Sequence, residues 1–187
     1  MLKINQPAPE FMAKAYHQDA IKEISLKDYK GKWLILFFYP GDFTFVCPTE
    51  LGELAKEHDA LNQKNVEILS VSTDSVYVHK AWHDESKTIS KVNFPMLSDQ
   101  SGSISKDYHT YIEDEGISLR GTFLIDPEGI LKTLEIHHNP IGRNIQETIR
   151  KLEAAIHVYK NGEQACPANW NPGKETLKPG LDLVGKI

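Results

Sequence analysis

The stretch YPGDFTFVCPTE, residues 39–50, contains one of the two cysteines of the chain. Cys47 follows Thr44 by three positions, and Pro40 and Pro48 lie on either side. The stretch joins an apolar run to a pattern typical of a helix, so Cys47 is predicted at the start of that helix. The first helical turn has free N–H groups and the positive end of the helix dipole, which stabilise an anion. This position favours a reactive Cys47, since the thiolate is the nucleophilic form of cysteine.

Three neighbours of Cys47 suit such a site. Pro48 fits the first helical turn, where its missing N–H costs nothing. We expect the Thr44 hydroxyl to donate a hydrogen bond to an oxygen bound beside the sulfur, and Pro40 to shield one side from water. The alternative is that Cys47 is a packing residue, because free cysteine is among the most buried residue types.

The second cysteine lies in GEQACPANW, within a C-terminal region rich in proline and glycine. Core packing of Cys166 is not expected there, and an exposed thiol in a reducing compartment suggests redox chemistry. The two cysteines are therefore predicted to act as an attacking and a resolving thiol. They do not have the spacing of a zinc site or of a disulfide framework.

Hydrophobic patterning predicts the elements that position these residues. In chain order the pattern indicates a strand buried on both faces (WLILFFYP), a helix (PTELGELAKEHDALNQK), a second strand (VEILSVSTD) and a second helix (SVYVHKAWHDESK). A short strand with a turn, a hairpin (RGTFLIDPEGILKTLEIHH) and an amphipathic helix (NIQETIRKLEAAIHVYKN) follow. This order predicts an α/β domain with a central mixed sheet flanked by helices. No element is predicted in the first 30 residues. The predicted organisation is one domain over residues 1–160 and an extended C-terminal tail over residues 161–187.

Composition excludes several classes of protein. The chain has 187 residues and a net charge of -5, which argues against a nucleic-acid partner. The longest apolar run, Trp33–Tyr39, is too short to span a membrane, so no membrane association is expected. The N-terminus lacks the apolar region of a secretory signal. A cytoplasmic location is therefore predicted.

Separated motifs of the chain together resemble one known family. FYPGDFTFVCPTE has the pattern P-x-x-x-T-x-x-C at Pro40, Thr44 and Cys47, which is the signature of the peroxiredoxins. Arg120 in SLRGTFLIDPEG is similar to the family's distant active-site arginine. Cys166 in ACPANW is similar to the resolving cysteine of the typical two-cysteine class. GRNIQETIRKLEA and LDLVGKI resemble the peroxidase component of bacterial alkyl hydroperoxide reductases, and the resemblance covers nearly the whole chain.

The resemblance implies a thioredoxin-like fold and the reduction of hydrogen peroxide and organic hydroperoxides. Cys47 would be the peroxidatic thiolate, and Cys166 from the partner subunit would form an intersubunit disulfide with its sulfenic acid. Arg120 would donate to the sulfur and the peroxide, and Glu50 would orient Arg120. Arg143 is a second candidate for pairing with Glu50, and the alternative for it is a surface arginine.

The resemblance also implies partners. Family members form homodimers and decamers. The peroxidase components of alkyl hydroperoxide reductases receive electrons from an NADH-dependent flavoprotein disulfide reductase, with thioredoxin as the alternative.

The chain lacks the G-G-L-G insertion and C-terminal Tyr-Phe extension of some members, which implies that Cys47 resists overoxidation. No cofactor is expected. No metal is expected either, since no cysteine or carboxylate completes the pairs His79–His83 and His137–His138, and a solvated helix face is predicted for the first pair.

Two other functions compete with a peroxidase. A general disulfide oxidoreductase on the same fold uses C-x-x-C, but the residues after Cys47 are Pro-Thr-Glu. A chaperone-like ring or a peroxide sensor would use the same cysteine without turnover. Such a sensor would react once and stop, whereas a peroxidase continues while reductant is present.

Overall fold

The computed structural model describes residues 2–186. The chain divides into two compact units, and the boundary along the chain lies between Arg143 and Asn144. The strands of the first unit are β1 (Met12–His17), β2 (Ala20–Ser25), β3 (Trp33–Phe38), β4 (Val66–Ser72), β5 (Met96–Ser98), β6 (Tyr111–Ile112), β7 (Ile117–Ser118), β8 (Arg120–Ile125) and β9 (Leu131–His137). Its α-helices are α1 (Cys47–Asn62), α2 (Val76–Glu85) and α3 (Ser103–Asp107). The predicted order of the main strands and helices is confirmed.

A seven-stranded mixed sheet in the order β2-β1-β5-β4-β3-β8-β9 forms the centre of the first unit. Strands β3, β4 and β5 are parallel, whereas β8 runs antiparallel to β3. All six residues of β3 are buried, as its continuous apolar run predicts. Alternate residues of β3 (Leu34, Leu36 and Phe38) belong to the core that contains Ile104 of α3. The predicted α/β fold with a central mixed sheet is confirmed, and it is thioredoxin-like.

Helices α1 and α2 follow strands and pack back on the sheet. Helix α1 buries Leu51, Leu54 and Leu61 and contacts β4. Helix α2 contacts β1 and β5, and the hydroxyl of Ser75 caps it by accepting a hydrogen bond from the backbone N–H of Val78 at 3.3 Å. Within residues 2–186, no helix has the length and apolar character that crossing a bilayer requires.

The sequence analysis missed the N-terminal hairpin of β1 and β2. These strands pair in full register from Met12↔Ser25 to His17↔Ala20. Their turn is formed by Gln18 and Asp19, which have φ angles of 50° and 56°. Asn-Gly and Asp-Gly are the usual signals for such a turn, and this pair of residues lacks them. The tertiary structure stabilises the hairpin, because β1 also pairs with β5.

The second unit contains helix α4 (Ile145–Lys160) and the segment that follows it. The Asn144 side chain caps α4 by accepting a hydrogen bond from the N–H of Glu147 at 3.1 Å. In the described part of the segment after α4 there is one 3-10 turn and no α-helix or strand. Ala165 and Leu177 nevertheless form an antiparallel bridge. The predicted boundary between residues 160 and 161 stays a prediction.

Candidate active site

The site begins where β3 ends. β3 ends at Phe38, a loop of residues 39–46 follows, and Cys47 is the first residue of α1. Residues 39–46 are called the Cys47 loop below. Pro48 lies in the first turn of α1, as predicted. Cys47 is fully buried, and Pro40 is buried at the start of the loop. The sulfur therefore lies at a helix N-terminus at the carboxyl end of a central strand, where ligand sites collect in α/β folds.

Arg120 brings a positive charge to the sulfur. It is the first residue of β8, and its buried Nη1 donates hydrogen bonds to Cys47 Sγ at 3.4 Å and to Glu50 Oε2 at 2.7 Å. Its Nε donates to the carbonyl of Asn139 at 2.6 Å, which orients the guanidinium. A cation in hydrogen-bond contact with the sulfur is typical of sites in which cysteine acts as a nucleophile. The predicted pairing of Arg120 with Cys47 is thus present in the structure.

Glu50 lies one turn after Cys47 in α1 and binds both arginines. Its Oε2 accepts from Arg120 at 2.7 Å and from Arg143 Nη2 at 2.9 Å, and its Oε1 accepts from the backbone N–H of Arg143 at 2.7 Å. Burial alone would raise the pKa of Glu50, but the hydrogen bonds and charge of Arg143, with the charge of Arg120, outweigh burial and lower it. Glu50 is therefore ionised between two cations, which offset its repulsion of a Cys47 thiolate.

Arg143 is not a surface residue, so the alternative considered for it is wrong. Its guanidinium lies 3.3 Å from the centroid of the Phe37 ring. Its Nη1 donates to the Gly121 carbonyl at 2.8 Å and to Thr122 Oγ1 at 3.1 Å. Burial lowers the pKa of Arg143, and the contacts with Glu50 oppose this effect. Thr122 was missed, although its position two residues after Arg120 places it on the same face of the strand.

Substitution of Glu50 by glutamine is expected to destabilise the protein by about 3–5 kcal/mol at pH 7, because two buried cations lose their counter-charge. The folded-state pKa of Glu50 is lowered, so its stabilisation is present above the unfolded pKa of about 4.3 and is lost as pH falls through the lower folded pKa. Urea unfolding at intervals from pH 7 to pH 2 measures this. The difference in unfolding free energy between wild type and Glu50→Gln should decrease toward pH 2.

The matched control for this prediction is Glu53→Gln. Glu53 lies in the same helix and forms an exposed ion pair with Lys56 at 2.6 Å. Its loss should change the unfolding free energy by less than about 0.5 kcal/mol at every pH. A constant difference between wild type and Glu50→Gln across the pH range would contradict the ionised Glu50 described above.

Thr44 is exposed, and its hydroxyl donates to the Gly41 carbonyl at 2.8 Å. This hydrogen bond lies within the Cys47 loop and uses the one proton of the hydroxyl. Donation to an oxygen bound at the sulfur therefore requires the hydroxyl to rotate away from Gly41. The expected role of Thr44 stays a prediction.

Cys166 lies in the second unit and is half-buried, not exposed as expected. Its Sγ is 3.9 Å from the carbonyl oxygen of Ala154 in α4. Burial raises the pKa of the Cys166 thiol, and the charge of Arg150 opposes that shift. Near neutral pH the resting form of Cys166 is therefore the protonated thiol.

The solvated helix face predicted for His79 and His83 is wrong for His79. His79 is fully buried; its Nδ1 lies 2.7 Å from Asp42 Oδ2 and its Nε2 lies 3.1 Å from the carbonyl oxygen of Leu97. His83 is half-buried and packs edge-on against Tyr16 with 5.3 Å between ring centroids. The sequence analysis also did not predict Asp42 as the partner of His79, because the sequence around a helical histidine does not indicate which distant carboxylate it contacts. In the part of the chain that the structure describes, histidine, cysteine and carboxylate side chains form no cluster of three or more able to hold a metal.

A thioredoxin-like fold that places a cysteine at a helix N-terminus, against a buried arginine from a neighbouring strand, defines the class of thiol peroxidases called peroxiredoxins. Family models agree with this class. Residues 4–134 match the AhpC/TSA family, and residues 155–184 match the C-terminal domain of 1-Cys peroxiredoxin. The chain belongs to the AhpC/TSA family and is a peroxidase.

Two relatives named alkyl hydroperoxide reductase C match over the full length of this chain and of their own. Alkyl hydroperoxide reductase C of Staphylococcus haemolyticus is 46% identical over 189 residues, and that of Escherichia coli K12 is 43% identical over 187 residues. The reduced 2-Cys peroxiredoxin of Plasmodium vivax has a TM-score of 0.92 at 40% identity, with 96% of this chain and 94% of that chain covered. Enterococcus faecalis AhpC has a TM-score of 0.86 at 45% identity, with 89% of this chain and 100% of that chain covered.

Proposed function

We propose that this peroxidase reduces hydrogen peroxide and organic hydroperoxides through Cys47 and resolves the product through Cys166 of the partner subunit. The observation that carries the proposal is the contact of Arg120 Nη1 with Cys47 Sγ at 3.4 Å, at the N-terminus of α1. The helix dipole and the arginine together stabilise the attacking thiolate. They also place donors beside the oxygen on which charge develops.

In the first step, the Cys47 thiolate attacks the terminal oxygen of the hydroperoxide. An S–O bond forms, the O–O bond breaks, and the sulfur is oxidised by two electrons to a sulfenic acid. The leaving oxygen takes up a proton and departs as water or an alcohol. Arg120 stabilises its negative charge, Thr44 positions the peroxide after its hydroxyl rotates, Pro40 limits water, and Glu50 with Arg143 holds Arg120 in place.

In the second step, Cys166 attacks the sulfenic sulfur, an S–S bond forms and water leaves. A dithiol reductant then returns two electrons and two protons to the disulfide. An NADH-dependent flavoprotein disulfide reductase is the proposed reductant, and thioredoxin is the alternative. The relatives named alkyl hydroperoxide reductase C support this choice. Because burial raises the pKa of Cys166, its attack should accelerate with increasing pH.

The proposed mechanism requires at least a homodimer. We propose that five such dimers assemble into a decamer and that the protein is cytoplasmic. Exposed aromatic side chains of the first unit support self-association, since aromatic residues are enriched at protein interfaces. Phe45 is 92% exposed, Tyr77 is 74% exposed and Phe43 is 55% exposed. We also propose that residues 1–160 form the peroxidase domain and residues 161–187 the tail that carries the resolving thiol.

The test of this function compares wild type with Cys166→Ser after addition of one equivalent of hydrogen peroxide. Wild type is expected to give a covalent dimer on a non-reducing gel. Cys166→Ser is expected to remain a monomer on the gel and to gain one oxygen atom at Cys47 in its intact mass. Oxidised wild type that stays monomeric would contradict resolution in trans.

The reductant is tested separately with catalytic amounts of wild type. Sustained peroxide consumption is expected with NADH and the flavoprotein reductase, and slower consumption with thioredoxin, thioredoxin reductase and NADPH. A single turnover with either system would favour a peroxide sensor. Strong reduction of insulin disulfides without peroxide would favour a general disulfide oxidoreductase.

A further inference from the structure

A buried hydrogen-bond cluster anchors the Cys47 loop to the rest of the first unit. The Asp42 carboxylate accepts from the Tyr39 hydroxyl at 2.7 Å through Oδ1, and its Oδ2 lies 2.7 Å from His79 Nδ1 in α2. The backbone N–H of Asp42 donates to Asp74 Oδ2 at 2.9 Å, and His79 Nε2 lies 3.1 Å from the Leu97 carbonyl oxygen in β5. The backbone and the carboxylate of Asp42 are thus tied to Asp74 and His79, which lie outside the Cys47 loop.

The partners of His79 determine where its protons are. The carbonyl of Leu97 only accepts hydrogen bonds, so Nε2 carries a proton and donates it. One further proton lies between Nδ1 and Asp42 Oδ2, as an imidazolium with a carboxylate or as an imidazole with a carboxylic acid. In either form the pair has no net charge, which allows its burial. Breaking it would leave a buried donor or acceptor without a partner, so it is a strong anchor.

The loop beyond Asp42 has the opposite character. Phe43 has a φ of 54°, a left-handed conformation that is unfavourable for a residue with a side chain. Phe43, Thr44 and Phe45 are all exposed. The hydrogen-bonded anchor ends at Asp42, so the strained segment from Phe43 to Cys47 is the part of the loop from which opening would start.

Opening of the Cys47 loop is needed for the second proposed step. The side chain of Cys47 is fully buried, whereas a disulfide requires the two Cα atoms to come within about 7 Å of each other. Disulfide formation with another subunit therefore requires Cys47 to leave its buried position. Attack on the peroxide uses the closed arrangement, in which Arg120 Nη1 contacts the sulfur at 3.4 Å.

We propose that His79 is a positioning residue that sets the balance between these two steps. Its hydrogen bond with Asp42 keeps the Cys47 loop closed, which favours oxidation of Cys47 by peroxide and slows disulfide formation. His79 acts through Asp42 and touches neither the sulfur nor Arg120. This inference rests on the proposed function, in that it assigns the closed loop to peroxide attack and the open loop to resolution by Cys166.

Two substitutions of His79 separate anchoring of the loop from general stability. In His79→Gln, the side-chain amide reaches the position of Nε2, so the bond to Leu97 is retained and the bond to Asp42 is lost. In His79→Asn, the amide reaches the position of Nδ1, so the bond to Asp42 is retained and the bond to Leu97 is lost. Each variant loses one of two buried hydrogen bonds, and urea unfolding of both variants measures how much stability each loses.

Rapid-quench mass spectrometry of the dimer measures both steps in one protein. In His79→Gln we expect the first-order rate of disulfide formation to rise about tenfold and the second-order rate of Cys47 oxidation to fall, as loss of one buried hydrogen bond would produce. In His79→Asn both rates should stay within about twofold of wild type. Equal changes in the two variants, or slowing of both steps in His79→Gln, would overturn the proposal.

A second pair at Asp42 keeps the test decisive if a His79 variant does not fold. An asparagine at position 42 can donate to a neutral His79 Nδ1 and accept from Tyr39, so Asp42→Asn should retain both wild-type rates, whereas Asp42→Ala should behave like His79→Gln. Unchanged rates in Asp42→Ala would overturn the anchoring role. Failure of the proposed function looks different, because wild type itself would then form no intersubunit disulfide.

Discussion

Replacement of Cys47 by serine is expected to reduce peroxide consumption to the uncatalysed background, a loss of about 10³-fold or more. The reason is chemical: a serine hydroxyl stays protonated at neutral pH and does not take up oxygen as sulfur does. The fold should survive, since the exchange is nearly isosteric and Arg120 keeps its hydrogen bond with Glu50 at 2.7 Å. Peroxide consumption with dithiothreitol as electron donor, together with a urea unfolding curve, measures both quantities.

Cys166→Ser is the matched control for this experiment. Because dithiothreitol can reduce the Cys47 sulfenic acid directly, this variant should continue to consume peroxide. The environments of the two cysteines agree with these roles. Cys47 contacts the guanidinium of Arg120, whereas burial raises the pKa of the Cys166 thiol. Peroxide consumption by Cys47→Ser above a tenth of the wild-type rate would assign the attack to another group.

Replacement of Arg120 by methionine is expected to lower the second-order rate of Cys47 oxidation by about 10²–10³-fold. Methionine has a similar length and removes both the charge beside the sulfur and the donor that we propose for the leaving oxygen. Glu50 keeps a counter-charge in this variant, because Arg143 still binds both of its carboxylate oxygens at 2.9–3.0 Å. Stopped-flow oxidation of the reduced protein at several peroxide concentrations gives this rate.

Arg120→Lys separates charge from geometry. A lysine retains a positive charge but lacks the planar fork that bonds Asn139, Glu50 and Cys47 at once. We expect its rate to lie between those of wild type and Arg120→Met. Arg120→Met within fivefold of wild type would show that the helix N-terminus alone activates the sulfur. Urea unfolding measures the stability of Arg120→Met and Arg120→Lys. Similar losses of stability in the two variants would confirm that their difference in rate is not a folding effect.

Local sequence determined the parts of this protein that depend on neighbouring residues. The apolar run of β3, the proline at the start of α1 and the turn between β8 and β9 appear in the structure where patterning predicts them. The position of Cys47 at a helix N-terminus follows from the same local signals. Cys166 was predicted as a resolving thiol from its surroundings in the sequence. Arg120 came from the resemblance to a family, since no local signal places an arginine of one strand beside a cysteine of another element.

Only the tertiary structure decided which distant groups meet. Arg143 is buried against Phe37 and Glu50, although the sequence also allowed a surface position for it. His79 is buried against Asp42, although the helical pattern predicted that its side chain faces solvent. The hairpin of β1 and β2 also depends on pairing with β5. The physical reason is shared: the burial of a charged or polar side chain is favourable only with a partner, and that partner lies tens of residues away in the chain.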